Sequence, residues 1–426
     1  MALKLSKYLF LLLVFSLPLV RPFNFTFFGL LVPYTDLIFL AAFGAWCVAL
    51  IRREASLRIG RLFIFIGIYA AAFTLSTFLS VDPTASFYKL LGEYYLFGLC
   101  FLTFNLANER RFQKQIIFAW LAGTGVTAVA SIAGFVLFYA GFKTNLDNYF
   151  LSHLGSLPEG DYPRIHALFA NANMLCNYLN VSVVLILLAE HLGWIKKRTA
   201  LILGAGTLFS ALFSISPGLG GIALSVGLWF WAGGQKRWIA RPALACGIIL
   251  AVLAFAATLV SPDTNNTAQE IPLPFIEKKL EPSVRVLVWQ DTARTVRQYP
   301  WFGKGTGMDV ANTRYEVLSG MQQLLRDSHN MWLNILGQTG IFGLAAFLLL
   351  LGYLIKRCRF RIGDGGDGRY IHLALSTALV GAFLYQGLGG SFEDARHLWV
   401  LLGLLGAIGY AGTNAENDTL PASTAP

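Results

Sequence analysis

Charge is what this sequence has least of. Only 13% of its 426 residues are Asp, Glu, Lys or Arg, about half the share of an ordinary soluble domain. That excludes a soluble globular chain of this length. Cysteine is scarce too, at five. Cys47, Cys100, Cys176 and Cys246 fall inside apolar stretches, and Cys358 lies in a basic connection. No disulfide is therefore expected, and no cysteine spacing matches a metal site. A small-residue cleavage site is missing after the first apolar run, where "RPFNFTFF" follows. That run reads as an anchor, not a removed leader. No solenoid-type repeat and no inverted repeat of the transporter kind is visible. No nucleotide motif, metal triad or Gly-Lys phosphate loop is present, so neither a cofactor nor a metal is expected.

What remains is apolar sequence, with 56% hydrophobic residues and a mean hydropathy of +0.59. Stretches long enough to span a hydrocarbon core recur at 8–29, 31–51, 62–81, 87–107, 115–140, 168–192, 200–216, 217–233, 242–260, 331–355, 371–391 and 397–412. A bilayer leaves a spanning chain little choice but helices, so the expectation is an all-α, polytopic membrane bundle of about twelve spans, one domain over 1–412.

Most of the 33 Lys and Arg cluster in every second connection: at Lys4 and Lys7, Arg52 to Arg61, Arg110 to Lys114, Lys196 to Arg198, Lys236 to Arg241, and Lys356 to Arg369. This is the pattern of cytoplasmic loops. It places both ends of the chain inside and explains the net charge of +10 without a nucleic-acid partner. The polar, Pro-containing tail 413–426 reads as a disordered cytoplasmic segment.

The connections 141–167 and 261–330 are long and face outward. Within the second, Val286, Trp289, Ala293 and Val296 recur at helical spacing between Pro282 and Pro300. That predicts an amphipathic helix on the outer membrane boundary, with Arg285 and Trp289 one turn apart. Lipid headgroups account for Arg294 and Arg297 there, and for Arg285 less well.

Polar side chains gather at the outer ends of the spans, where each needs a use. Asn173, Asn177 and Asn180 share one helix face, with Arg164 and His166 just outside it. Interhelical bonding suffices for Asn177 and Asn180, while Arg164 and Asn173 lean to function. "SISPGLGG" at 214–221 is a tight turn or broken helix. "SFEDARHLW" sets Glu393, Asp394, Arg396 and His397 between the last two spans, where a salt-bridged turn weighs as much as function. His329 and Asn330 open the tenth span. Asn330 suits a helix cap. For His329 the alternatives are an interfacial polar residue and a general base, since imidazole titrates near neutral pH. Guanidinium groups at the same edge suit an anionic phosphate ligand.

"RVLVW", "YPWFGKGTG" and "SHNMWLNILGQTGIFG", in that order within one outward stretch, resemble the O-antigen ligase and polymerase superfamily. "FANANMLCNYL" and "SFEDARHLW" fit it more weakly. The resemblance covers about 164–405 and is most specific over 285–343. It implies a metal-independent glycosyltransferase of the bacterial inner membrane, with 261–330 as its periplasmic catalytic loop. The donor would be a glycan on undecaprenyl diphosphate. The acceptor would be lipid A–core for a ligase, or a second lipid-linked glycan for a polymerase of O-antigen or exopolysaccharide. It carries Arg285 over as a diphosphate-binding or activating residue and His329 as the candidate base, with Asn330 and Asp394 in support. Arg164 and Asn173 join them as candidate substrate contacts. Where the family often shows Ser-Arg-Gly, this chain has Ser216, Pro217 and Gly218. A cation is missing there, and Arg164, Lys304 and Arg326 are the alternatives to supply it. A transporter of lipid-linked saccharides is the rival from another class, and a non-catalytic scaffold a third. The transporter calls for ionisable residues along a mid-membrane path. Here the notable polar residues crowd the outer edge.

Overall fold

A computed structural model of the chain describes residues 1–21, 24–27, 30–142, 150–156, 159–234, 236–260, 271–272, 279–280, 283–316, 322–358, 367–389 and 395–417. The described chain is helical, with four two-stranded antiparallel hairpins between helices. In order the helices are α1 (Ala2–Ser16), α2 (Tyr34–Ile51), α3 (Leu62–Phe78), α4 (Pro83–Leu106), α5 (Arg110–Tyr139), α6 (Ala172–His191), α7 (Lys197–Phe213), α8 (Leu219–Ala232), α9 (Arg237–Leu259), α10 (Arg285–Gln298), α11 (Met331–Arg357), α12 (Asp367–Gly389) and α13 (Arg396–Asn417). The hairpins pair β1 (Asn24–Phe27) with β2 (Leu30–Pro33), β3 (Leu151–Ser156) with β4 (Glu159–Ile165), β5 (Ile271–Pro272) with β6 (Lys279–Leu280), and β7 (Thr313–Glu316) with β8 (Gln322–Leu325).

Among the described residues five helices, α2, α5, α6, α9 and α11, are long and apolar enough to cross a membrane. Leu62–Phe78, Leu219–Ala232 and Arg396–Ile408 are shorter apolar helices. Each expected span overlaps a helix, but the first is displaced. Hydropathy places it at 8–29, yet α1 stops at Ser16 and 24–33 forms the β1–β2 hairpin. Pro18 explains the stop, since it has no N–H to donate. At the other end α13 runs to Asn417, into the stretch expected as a disordered tail; 418–426 lie outside the described residues.

The core is built around α6, which packs on α5, α7, α8 and α12. Trp120 of α5 stacks on Tyr178 of α6 at 5.2 Å and 4°, and its indole N–H donates to Ser182 at 3.0 Å. Small residues let α8 and α12 meet, as bilayer packing favours: a Cβ on Gly221 would stand 2.4 Å from the carbonyl oxygen of Gly381. Asn180 ties this junction. Its amide donates to the Ala378 carbonyl at 2.9 Å and its oxygen accepts from Ser225 at 2.8 Å. Interhelical bonding is thus the observed use of Asn180.

The end of the bundle that carries His329 is closed by a strap. At Gly340 (φ +66) α11 breaks. The break opens two helical hydrogen bonds, those of the Ile341 and Phe342 amides to Gly337 and Gln338. Residues 300–305 replace both. Ile341 and Phe342 donate to the carbonyls of Pro300 and Trp301 at 2.9 and 3.2 Å, while Lys304 and Gly305 donate to those of Gly337 and Gln338 at 2.9 and 3.0 Å. Ser76 of α3 also donates to the Gln338 carbonyl, at 2.7 Å. A buried break in a spanning helix requires such partners. The strap in turn is held to α3 and to the turn that follows it: Val81 donates to the Lys304 carbonyl at 3.2 Å, and Thr306 to that of Phe73 at 3.0 Å.

Candidate active site

The strap reads "GKGTG", the composition of a loop that cradles phosphate with backbone N–H groups. Four of its five amides have partners within the protein. Gly303 donates to Tyr299 at 3.2 Å, Lys304 and Gly305 donate into the α11 break, and Gly307 donates to the Gln338 side-chain oxygen at 2.8 Å. The positive φ of Gly303, Gly305 and Gly307 serves close approach to α11, to Ser80 in the α3–α4 turn and to α4. The loop therefore spends most of its amides on holding structure in place, not on an anion.

The His329 junction is built from its neighbours. Ser328 is fully buried and donates its hydroxyl to the Asn330 carbonyl at 2.8 Å. Asn330 caps α11: its side-chain oxygen accepts from the Trp332 and Leu333 amides at 3.0 and 3.3 Å. The capping role thus accounts for that oxygen. Between them His329 sits at φ +48, a left-handed conformation that a non-glycine residue adopts only when its surroundings impose it. Its amide donates to the Asp327 carboxylate, and its ring Nδ1 lies 3.7 Å from that carboxylate. The imidazole remains 42% exposed, so it is reachable from outside. Sequence reasoning misses Asp327; an acid two residues before a histidine is the available signal.

Arg285 opens α10, its amide bonded to Ser283 at 3.3 Å. One turn on, the Trp289 indole N–H donates to the carbonyl of Ser328 at 3.0 Å. Thr292 packs at Gly337 of α11, and Asp291 accepts from the Asn312 amide at 2.6 Å. The amphipathic helix expected from 283–299 is therefore α10. It packs on α11, with Trp289 bonded to Ser328 and Arg285 one turn before Trp289.

Arg164 and Asn173 form a second group. The Arg164 guanidinium donates to Asn173 at 3.0 Å and to the Ser214 carbonyl at 3.1 Å. Ser214 is the C-cap of α7, where a cation is favoured by the helix dipole. Ile215 follows at φ +46, and the Ser216 hydroxyl accepts from Gly218 at 3.2 Å. Of the three cations considered for the Pro217 turn, Arg164 is the one bonded to it. The Lys304 ammonium donates to the Asp309 carbonyl at 2.7 Å, and Arg326 stands 3.7 Å from the Asp309 carboxylate.

Asp394 and Glu393 lie outside the described residues. Arg396 of the same motif makes a two-point ion pair with Asp36 of α2 at 3.0 and 3.1 Å. That joins the last helix to the second. His397 lies 3.4 Å from the Asn177 oxygen. Among the described residues, the "SFEDARHLW" segment thus supplies a salt bridge to a distant helix.

Sequence reasoning also misses an ionisable pair in α4. Lys89 Nζ lies 3.8 Å from Glu93 Oε1, and Glu93 is 1% exposed. The signal is "KLLGE" inside an apolar span.

No curated protein matches the chain. Residues 200–348 match the O-antigen ligase family, a segment that runs from α7 into α11 and contains both Arg285 and His329. Arg164, Asn173 and the Lys89–Glu93 pair lie outside it. The segment on which the motif resemblance is most specific is thus similar to the O-antigen ligase family.

Proposed function

We propose that this chain is a glycosyltransferase that moves a glycan from undecaprenyl diphosphate to lipid A–core at the periplasmic face of the bacterial inner membrane. One observation carries the reading: the Trp289–Ser328 bond holds the helix that begins with Arg285 against the junction that presents His329. A cation and a base then share one site. The acceptor hydroxyl attacks the anomeric carbon, and its proton passes to the imidazole of His329. The bond from that carbon to the diphosphate oxygen breaks, and the lipid diphosphate leaves with the electron pair. Arg285 stabilises the charge that develops on it. Displacement from the opposite face inverts the anomeric centre. Asp327, beside Nδ1, favours the tautomer in which Nε2 takes the proton. Arg164 is a second diphosphate contact at the Pro217 turn, with Asn173 orienting it, and Asn330 holds the backbone on which His329 is presented.

The test is transfer from purified lipid-linked glycan in detergent. His329→Ala is expected to lose about 10²–10⁴-fold in turnover, the usual worth of a positioned base, and to keep donor binding. Arg285→Lys is expected to weaken donor binding, because an ammonium does not reproduce a planar fork on a diphosphate. A monodisperse His329→Ala protein with near wild-type turnover overturns the assignment. Cells without the chain should make lipid A–core lacking long O-chains; core bearing a single repeat unit would assign polymerisation instead.

A further inference from the structure

Glu93 stands about 15 Å along α4 from Pro83, at 1.5 Å per residue, inside an apolar helix. An intramembrane carboxylate is costly and calls for a use. It is sealed at 1% exposure, whereas Lys89, one turn nearer the strap, keeps 31% of its side chain exposed.

Three observations separate this pair from an ordinary structural bridge. Lysine preceding glutamate at i, i+4 is the weaker order on a helix, and a buried ion pair stabilises less than apolar residues of the same volume. The lysine stem is clamped: Gly307 of the strap (φ +73) sits so close that a Cβ there would stand 2.5 Å from Lys89 Cβ and Cγ. The pair also has its own side of α4. Phe87, Leu91 and Tyr94 line an apolar groove with α3, while residues 89 and 93 project on the strap side, as the helical period requires.

The strap links this pair to the site. Gly307 is bonded to Gln338, on the same outer half of α11 that Asn330 caps. Lys89 and His329 are thus mounted on one frame. A sealed carboxylate on one side of an ammonium balances its charge and fixes its direction. A compact ammonium so held suits a phosphate oxygen.

We propose that Lys89 is a binding cation for the anionic diphosphate of the lipid-linked donor, and that Glu93 is its positioning residue. The proposal rests on the glycosyltransferase reading and extends the site to α4.

The full chain in detergent is titrated with undecaprenyl diphosphate and, as the uncharged control, undecaprenol. Wild type should prefer the diphosphate. Lys89→Met should lose about tenfold in diphosphate affinity, the loss of one charge-assisted contact, and Lys89→Arg should restore most of it. Glu93→Gln should raise KM for the donor and leave kcat near wild type. The apolar pair Lys89→Met with Glu93→Leu keeps the packing and separates binding from folding. A monodisperse double variant that binds the diphosphate like wild type reduces the pair to structure and ends the proposal. In wild type, diphosphate should also protect Lys89 from an amine-acylating reagent; equal labelling with and without it ends the proposal as well. If wild type itself does not distinguish the diphosphate from the alcohol, the glycosyltransferase reading falls first.

Discussion

At the scale of the residue, the candidate base is held where its backbone is strained. A left-handed φ of +48 at His329 costs a non-glycine residue about 1–2 kcal/mol. The buried Ser328, the Asp327 carboxylate and the Asn330 cap impose it. His329→Gly should therefore gain about 1 kcal/mol of stability from relieved strain and lose about 10²–10⁴-fold in turnover. A thermal midpoint beside a turnover assay checks both. A Gly variant that melts below wild type would show that the imidazole packs rather than projects. His329, Asn330 and Arg285 are legible in the sequence because polar residues at the mouth of an apolar run stand out. The φ of His329 is not, since it arises from four neighbouring bonds and no residue preference. Lys89 and Glu93 stay hidden for another reason: at i, i+4 they look like a self-neutralising pair, and only burial shows that one of them is sealed.

At the scale of the element, hydropathy locates the helices and prolines locate the ends it blurs. It has no means to find the break in α11. "ILGQTGIFG" and "WFGKGTG" are each merely glycine-rich, and the exchange of hydrogen bonds between them is a long-range event. Gly340 is the position that permits it. A Cβ there would stand 2.2 Å from the Trp301 carbonyl oxygen, on a backbone at φ +66. Gly340→Ala should destabilise the protein by more than about 3 kcal/mol through combined strain and clash, seen as loss of monodisperse elution. Gly352→Ala, with nothing within 4 Å, is the control and should elute as wild type. Equal behaviour of the two variants would mean that the strap does not insert.

At the scale of the whole molecule, the order of spans is legible and its closure is not. Alternating basic clusters predict that 261–330 and the C-terminus lie on opposite sides of the membrane. A reporter active only in the cytoplasm should work at the C-terminus and fail within that loop. Activity in the loop would remove both the topology and the outward site. What the pattern of charges does not disclose is that Asp36 and Arg396, 360 residues apart, are paired at 3.0 Å. A lone aspartate at the start of one span and an arginine at the start of another look alike whether or not they meet.

The exchange of bonds at Gly340 has a mechanical side. A continuous helix is stiff because each turn is bonded to the next. At 337–342 α11 has given up two of those bonds, so bending there costs less than in an unbroken helix. What resists bending is the strap, anchored to α3 and to the turn that follows it. The strap behaves as a guy rope and the outer half of α11 as the mast it steadies. The aim of His329 is then set from residues 300–305, not by the membrane half of its own helix. Sequence change in that short rope would re-aim the histidine while the bundle below stayed as it is.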